Sequence, residues 1–244
     1  MKKIVSKINT SYQQKWLEKM ELLSTVFARD HAVILLYDSS LNRIIFFSDP
    51  SKVLGSYQPE TILSENGKYF LYGNVHPSYI NAVLKIQSKV TNPAMEDPAI
   101  EIDNIASNII FPFKRNKAGY FQFLQKVIVV EKDKTGQPLL YLHIGYDISH
   151  LVKPFVGLIL QSAKGKLFWR YNVKEKSLVL VNLLSPQEKT ILKLLSEGRS
   201  SKEIGHLLFV SSHTVDTHRR NLLRKTYCIN TTALIVFEKM TGLI

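Results

Sequence analysis

Thiol chemistry is almost absent from this chain, which contains one cysteine, Cys228. A single thiol excludes an intrachain disulfide and a thiolate metal cluster, and it suits a reducing compartment. Long apolar runs are missing too, since no segment approaches the roughly 18 uninterrupted apolar residues of a membrane span. The start, MKKIVSKINTSYQQKW, is basic but holds no apolar stretch of signal-peptide length, so a complete cytoplasmic chain with no membrane partner is expected. Acidic residues are the third shortage: 20 Asp and Glu face 32 Lys and Arg, a formal charge of +12. A balance that basic points to a polyanionic partner. No nucleophile–base spacing and no metal motif is found, so no catalytic residue, metal or cofactor is assigned; an enzyme built on His76, His143 and Asp147 is the weakest of the readings.

The 244 residues, 45% of them hydrophobic, are ample for a buried core and fit two globular domains. Hydrophobic period divides the chain into four parts. From Ser11 to Arg29 the residues Trp16, Leu17, Met20, Leu23, Val26 and Phe27 recur at helical steps, giving an amphipathic helix within a leading segment 1–30. Segment 31–150 is strand-rich. HAVILLYDSSLNRIIFFS reads as a hairpin, VHPSYINAVLKIQSKV as a helix started by Pro77 with Ile80, Val83, Leu84 and Ile86 facing a core, and SNIIFPFKR, GYFQFLQKVIVVEKD and PLLYLHIGYDIS as three further strands. Gly136 suits the tight turn between the last two. The expectation is an α+β chain: an antiparallel five-stranded sheet with helices, followed by an all-α domain.

The order of two strands, a helical middle and three strands resembles a PAS sensor domain. The residues carrying the resemblance are His76 and Pro77 before the middle helix, the turn EKDKTGQP, and the ending GYDISH, whose Asp147, Ile148 and Ser149 approximate the Asp-Ile-Thr motif of that family. The segment KVTNPAMEDPAIEIDNIAS is longer than a minimal PAS domain needs and reads as a loop over the pocket. Thiol-adduct flavin chemistry is excluded by the absence of a cysteine from the domain; His76 and His143 are available as haem ligands, but a lone histidine is more often a hydrogen-bonded structural residue, and haem is not the favoured reading. The aromatics, among them Phe111, Phe113, Phe123 and Tyr141, read first as core and second as the lining of a cavity for a small apolar or aromatic ligand.

Residues 151–182 carry six cations against the single Glu175. KLFWRYNV and SLVLVN flank the polar turn KEK, so this basic connector is expected to be ordered, as a hairpin.

From Leu183 the period becomes helical again. Ser185, Pro186 and Glu188 form one helix start, Gly198 a stop, and Ser200 with Glu203 a capping box. Ser211 caps a third helix, SSHTVDTHRRNLLRK, so segment 183–244 holds a helix-turn-helix. On the third helix Val215 and Leu222 face inward, whereas His213, Asp216, Thr217, Arg220 and Arg224 recur on the other side. A helix of that shape fits the major groove. Arg220 is suited to guanine, Asp216 to cytosine and Thr217 to a thymine methyl, with phosphates held by Lys202, Ser211, Ser212, Thr214, Arg219, Arg224 and Lys225.

LSPQEKTILKLLSEGRSSKEIGHLLFVSSHTVDTHRRNLLRK resembles the LuxR-type helix-turn-helix family without a gap. The resemblance implies a four-helix domain, base contacts from Asp216, Thr217 and Arg220, and a fourth helix that dimerises through Leu234, Ile235 and Phe237. Tyr227 departs from the glycine often found after the recognition helix.

The sequence therefore predicts a homodimeric transcription regulator that binds double-stranded DNA, answers a small ligand or partner at a PAS-like domain, and has RNA polymerase as a further candidate partner. The alternative is a sigma-factor-like or partner-binding helix-turn-helix protein without autonomous DNA binding.

Overall fold

A computed structural model describes residues 10–49, 52–55, 57–91, 106–115, 119–162 and 165–244. The loop read from KVTNPAMEDPAIEIDNIAS lies almost wholly outside them.

Helix α1 (Ser11–Ala28) leads into strands β1 (Val33–Asp38) and β2 (Arg43–Ser48). Asp38 closes the intervening turn: its Oδ1 accepts from the Ser40 N–H at 2.9 Å, and its Oδ2 accepts from Gln13 Nε2 at 2.6 Å, which ties the turn to α1. Helices α2 (Pro59–Leu63) and α3 (Gly67–Gly73), a 3₁₀ turn (Pro77–Tyr79) and α4 (Ile80–Thr91) follow. His76 starts that turn, its Nδ1 accepting from the Ser78 N–H at 3.2 Å while its ring lies 4.5 Å from that of Tyr120. It has the structural job the sequence suggests.

Strands β3 (Ala106–Lys114), β4 (Tyr120–Lys132) and β5 (Pro138–Asp147) complete the order β2-β1-β5-β4-β3, all antiparallel. This is the arrangement the PAS resemblance implies, and the α+β class holds. The DIS ending closes it: Ser149 Oγ accepts from the Gln122 N–H at 2.9 Å, and Asp147 Oδ1 accepts from the Ser149 N–H at 2.9 Å.

The sheet does not stop at five strands. Strands β6 (Gly157–Ser162), β7 (Gly165–Asn172) and β8 (Ser177–Leu180) add to the β3 edge, making eight. The stretch read as a basic connector is thus continuous with the sheet. Its charge hid the apolar run Leu158, Ile159 and Leu160, whose three side chains are all buried between the layers on either side.

One face of the sheet, carrying Val33, Ile109, Phe111, Phe123, Val127 and Tyr141, is covered by the helical middle. The other face is shared. Ile34, Leu36, Leu142 and Ile144 pack against Leu17 and Met20 of α1, whereas Ile110, Leu124, Ile159 and Phe168 enter one core with the C-terminal helices. Those helices are α5 (Pro186–Ser196), α6 (Ser201–Leu207), α7 (Ser212–Thr226) and α8 (Thr231–Thr241).

Candidate nucleic-acid interface and sensor cavity

Caps place the C-terminal helices where the sequence puts them. Ser185 with Glu188 and Ser200 with Glu203 form complete capping boxes, and Gly198 takes φ +85° at the stop between α5 and α6. Ser211 Oγ accepts from the Thr214 N–H at 3.0 Å and so starts α7. Gly205 is the hinge of the helix-turn-helix. A Cβ there would lie 2.7 Å from the Val210 carbonyl oxygen, so only glycine lets α6 meet the turn this closely. The sequence reading overlooked it, although a small residue inside a helix between two caps was the available signal.

Helix α7 turns Val215 and Leu222 fully inward. Outward, His213, Thr217, Arg220 and Arg224 are all exposed and recur at steps of four, three and four residues. Thr217 Oγ1 donates to the His213 carbonyl at 3.0 Å and accepts from Arg220 Nη2 at 3.1 Å, so the stripe is organised before any partner arrives. Lys202 and Ser212 are exposed nearby in the chain.

Three of the residues read as DNA contacts, Asp216, Arg219 and Lys225, are bonded to neighbouring helices. Asp216 accepts from Ser201 Oγ at 2.7 Å and pairs with Arg219 at 2.9 Å, while Arg219 also donates to Thr231 Oγ1 at 3.0 Å. This clamp joins α6, α7 and α8. Those bonds, led by the one from Ser201, hold the Asp216 carboxyl below its ordinary range. Lys225 reaches Glu188 Oε2 at 2.6 Å, joining α7 to α5. Burial opposes ionisation of Glu188, but the hydrogen bonds from Lys225 and Ser185 outweigh it and keep the carboxyl low. Helical spacing separates the buried from the exposed positions of α7 but does not show which neighbouring helix lies against the margin.

Leu234 and Phe237 of α8 are buried within the chain, Ile235 is half-buried, and Val236 is the large apolar residue that α8 leaves exposed. Tyr227, at the end of α7, adopts φ +62°, the left-handed conformation that glycine ordinarily supplies. Its ring stacks on Phe155 and its carbonyl accepts from the Lys153 N–H at 2.9 Å, while the Ile229 N–H donates to the Leu151 carbonyl at 3.0 Å. Helix α7 therefore ends on a short antiparallel bridge, Val152 with Cys228, to the segment between β5 and β6. Burial raises the Cys228 thiol to about 11, which leaves it a packing residue.

A cavity of about 590 Å³ lies between the first sheet face and helices α3 and α4. Its walls are mostly apolar, including Val33, Leu71, Val83, Phe111 and Phe123, with Tyr69 and Leu84 exposed among the helix residues that line it. Leu84, read as core, instead lines this opening on α4. The polar groups are few: Lys68 bonds to Asn42, and Gln87, Gln125 and His143 form a chain across the floor. Burial pushes His143 down to about 4, so the ring is neutral, and pushes Tyr72 and Tyr141 up to about 12. The three residues of the enzyme alternative each have separate tasks: His76 caps a turn, His143 lines the cavity, and Asp147 pairs with Arg115.

Residues 182–237 match the family described as bacterial regulatory proteins, luxR family. The C-terminal helices form a LuxR-type helix-turn-helix domain, joined to a PAS-like sheet domain. Among curated relatives, the transcriptional regulatory protein MctR of Rhizobium johnstonii is 41% identical over 61 residues, 25% of this chain and 28% of that protein. The virulence factors putative positive transcription regulator BvgA of Bordetella pertussis is 41% identical over 72 residues, 30% of this chain and 34% of that protein. The chain thus spans about a third or less of the length of these relatives. A solved structure of the Vibrio cholerae VqmA dimer, a LuxR-type receptor, aligns over 93% of this chain and 88% of its own at 14% identity, with a TM-score of 0.32. The PAS-like assignment rests on strand order, not on that superposition. Among the described residues no helix is long and apolar enough to cross a membrane.

Proposed function

We propose that this protein is a sequence-specific DNA-binding transcription regulator, acting as a homodimer and controlled by a small ligand in the PAS-like cavity. The observation that carries the reading is the exposed stripe of His213, Thr217, Arg220 and Arg224 on a helix that buries Val215, Leu222 and Thr226 on its other side. A major groove admits such a helix, and in this reading Arg220 donates to guanine with Thr217 beside it. Asp216 acts through its clamp, which fixes the pitch of α7 against α6 and α8. Phosphates are held by Lys202, Arg224 and the hydroxyls and amides around Ser211, Ser212 and Thr214, while Arg219 and Lys225 contribute to the positive field from their internal pairs.

Dimerisation through α8 would use Val236 and Ile235, because Leu234 and Phe237 already serve the chain's own core. Ligand control follows from the shared core: the sheet that floors the cavity also carries Ile110, Leu124 and Ile159, which pack with the DNA-binding helices. A ligand that prefers one packing of that sheet biases the spacing of two recognition helices.

The test is the salt dependence of duplex binding. Lys202→Ala and Arg224→Ala should each weaken binding uniformly across sequences and reduce the logarithmic salt slope by about 1. Unchanged slopes in both variants would remove this surface from DNA.

A further inference from the structure

The hydrogen bonds on the cavity floor run in one direction. Gln87 Nε2 donates to Gln125 Oε1 at 3.2 Å, which leaves the Gln125 amide nitrogen as the group 2.9 Å from His143 Nδ1. An amide nitrogen can only donate, so His143 Nδ1 must accept. On a neutral imidazole the proton then sits on Nε2. Among the described residues that Nε2–H has no protein partner, and its ring lines the cavity. The floor therefore offers a donor with a fixed tautomer inside otherwise apolar, aromatic walls.

We infer that the cavity selects a neutral, flat, largely apolar ligand bearing a hydrogen-bond acceptor, a ring nitrogen or a carbonyl oxygen, which takes the His143 Nε2–H. Charge is disfavoured beside the imidazole, where no ionised group stands among the described residues and burial is uncompensated; the cation of the lining, Lys68, is bonded to Asn42 instead. Aromatic edges and faces from Tyr37, Phe111, Phe123 and Tyr141 suit a planar ring. This inference rests on the ligand-control part of the proposed function and gives that ligand a chemical class.

Three bicyclic aromatic probes, two of them isosteric, separate the possibilities, with binding measured calorimetrically on the full chain without DNA. Isoquinoline carries a ring acceptor, naphthalene lacks one, and 2-naphthoate is charged. Isoquinoline should bind about tenfold more tightly than naphthalene, and 2-naphthoate more weakly than both. His143→Phe should abolish the difference between the first two, and so should Gln125→Leu, which leaves His143 in place but frees its tautomer. Equal affinities for isoquinoline and naphthalene in the wild type, tighter 2-naphthoate binding, or no binding of any probe would each overturn the inference. If either variant fails to fold, nitrogen spectra of ¹⁵N-histidine-labelled wild type decide instead: the Nε2–H tautomer is expected at His143, and the Nδ1–H tautomer contradicts it. Because no DNA is present, a negative result here leaves DNA recognition standing, and loss of DNA binding elsewhere leaves this result intact.

Discussion

Tyr227 and Phe155 stack face to face, ring centroids 4.9 Å apart and planes 12° from parallel, although one ends helix α7 and the other precedes the sheet's sixth strand. Arg170 of β7 sits over the same tyrosine ring at 5.8 Å. The exit of α7 is therefore built jointly by the sheet and the helices.

Phe155→Ala should destabilise the protein by about 3 kcal/mol, the lower end for removing a buried aromatic side chain. Its signature is local. Hydrogen exchange should accelerate at the bridge amides of Lys153 and Ile229 while the amides within α7 keep their protection. Unchanged exchange at both bridge amides would show that the stack does not hold the seam.

Tyr227→Gly should behave differently. Glycine relieves roughly 1–2 kcal/mol of left-handed backbone strain while the stack is lost, so global stability should change little. The bridge amides should nevertheless open as they do in Phe155→Ala. A large loss of stability would mean that the tyrosine conformation is unstrained here.

Glu188→Ala should cost about 3 kcal/mol, because it removes a capping-box carboxylate and leaves Lys225 partly buried without its partner. The folded carboxyl lies below its ordinary range, so its stabilisation is complete above the unfolded value near 4.3 and is lost as pH falls through the folded value. Chemical denaturation of wild type and variant should therefore converge in strong acid. A constant difference between them at every pH would exclude ionic stabilisation.

Acidification costs stability at His143 as well, here because burial disfavours the cation. Its folded value, about 4, lies below the unfolded value near 6.5, so between those limits the unfolded chain binds more protons. Stability should fall by up to about 3 kcal/mol as pH drops through that window, and His143→Phe should flatten that part of the profile. A profile that is equally steep in the variant would place the titration elsewhere.

Much of this molecule is legible in its sequence, because period and capping are local. Ser185, Ser200, Ser211 and Gly198 mark the C-terminal helices through bonds made within a single turn. The first five strands are legible through alternation and the Asp38 and Gly136 turns. What escaped depends on partners distant in the chain. Leu158 to Leu160 looked like part of a charged connector until the β3 edge took them up. Asp216, Arg219 and Lys225 read as DNA contacts, because nothing local shows that α5, α6 and α8 come alongside. The direction of the Gln87, Gln125 and His143 chain needs three elements at once and has no trace in local spacing.

The central claim is that α7 reads bases, and selection of bound duplexes from a random DNA pool tests it most directly. Wild type should enrich a repeated motif at moderate salt, and Arg220→Ala should lose preference at one position per half-site, a change of about 1–3 kcal/mol at that base alone. Asp216→Ala should weaken binding to all sequences alike, since its carboxylate holds the clamp. Enrichment of no motif by wild type, or a variant Arg220→Ala that keeps every base preference, would contradict the account.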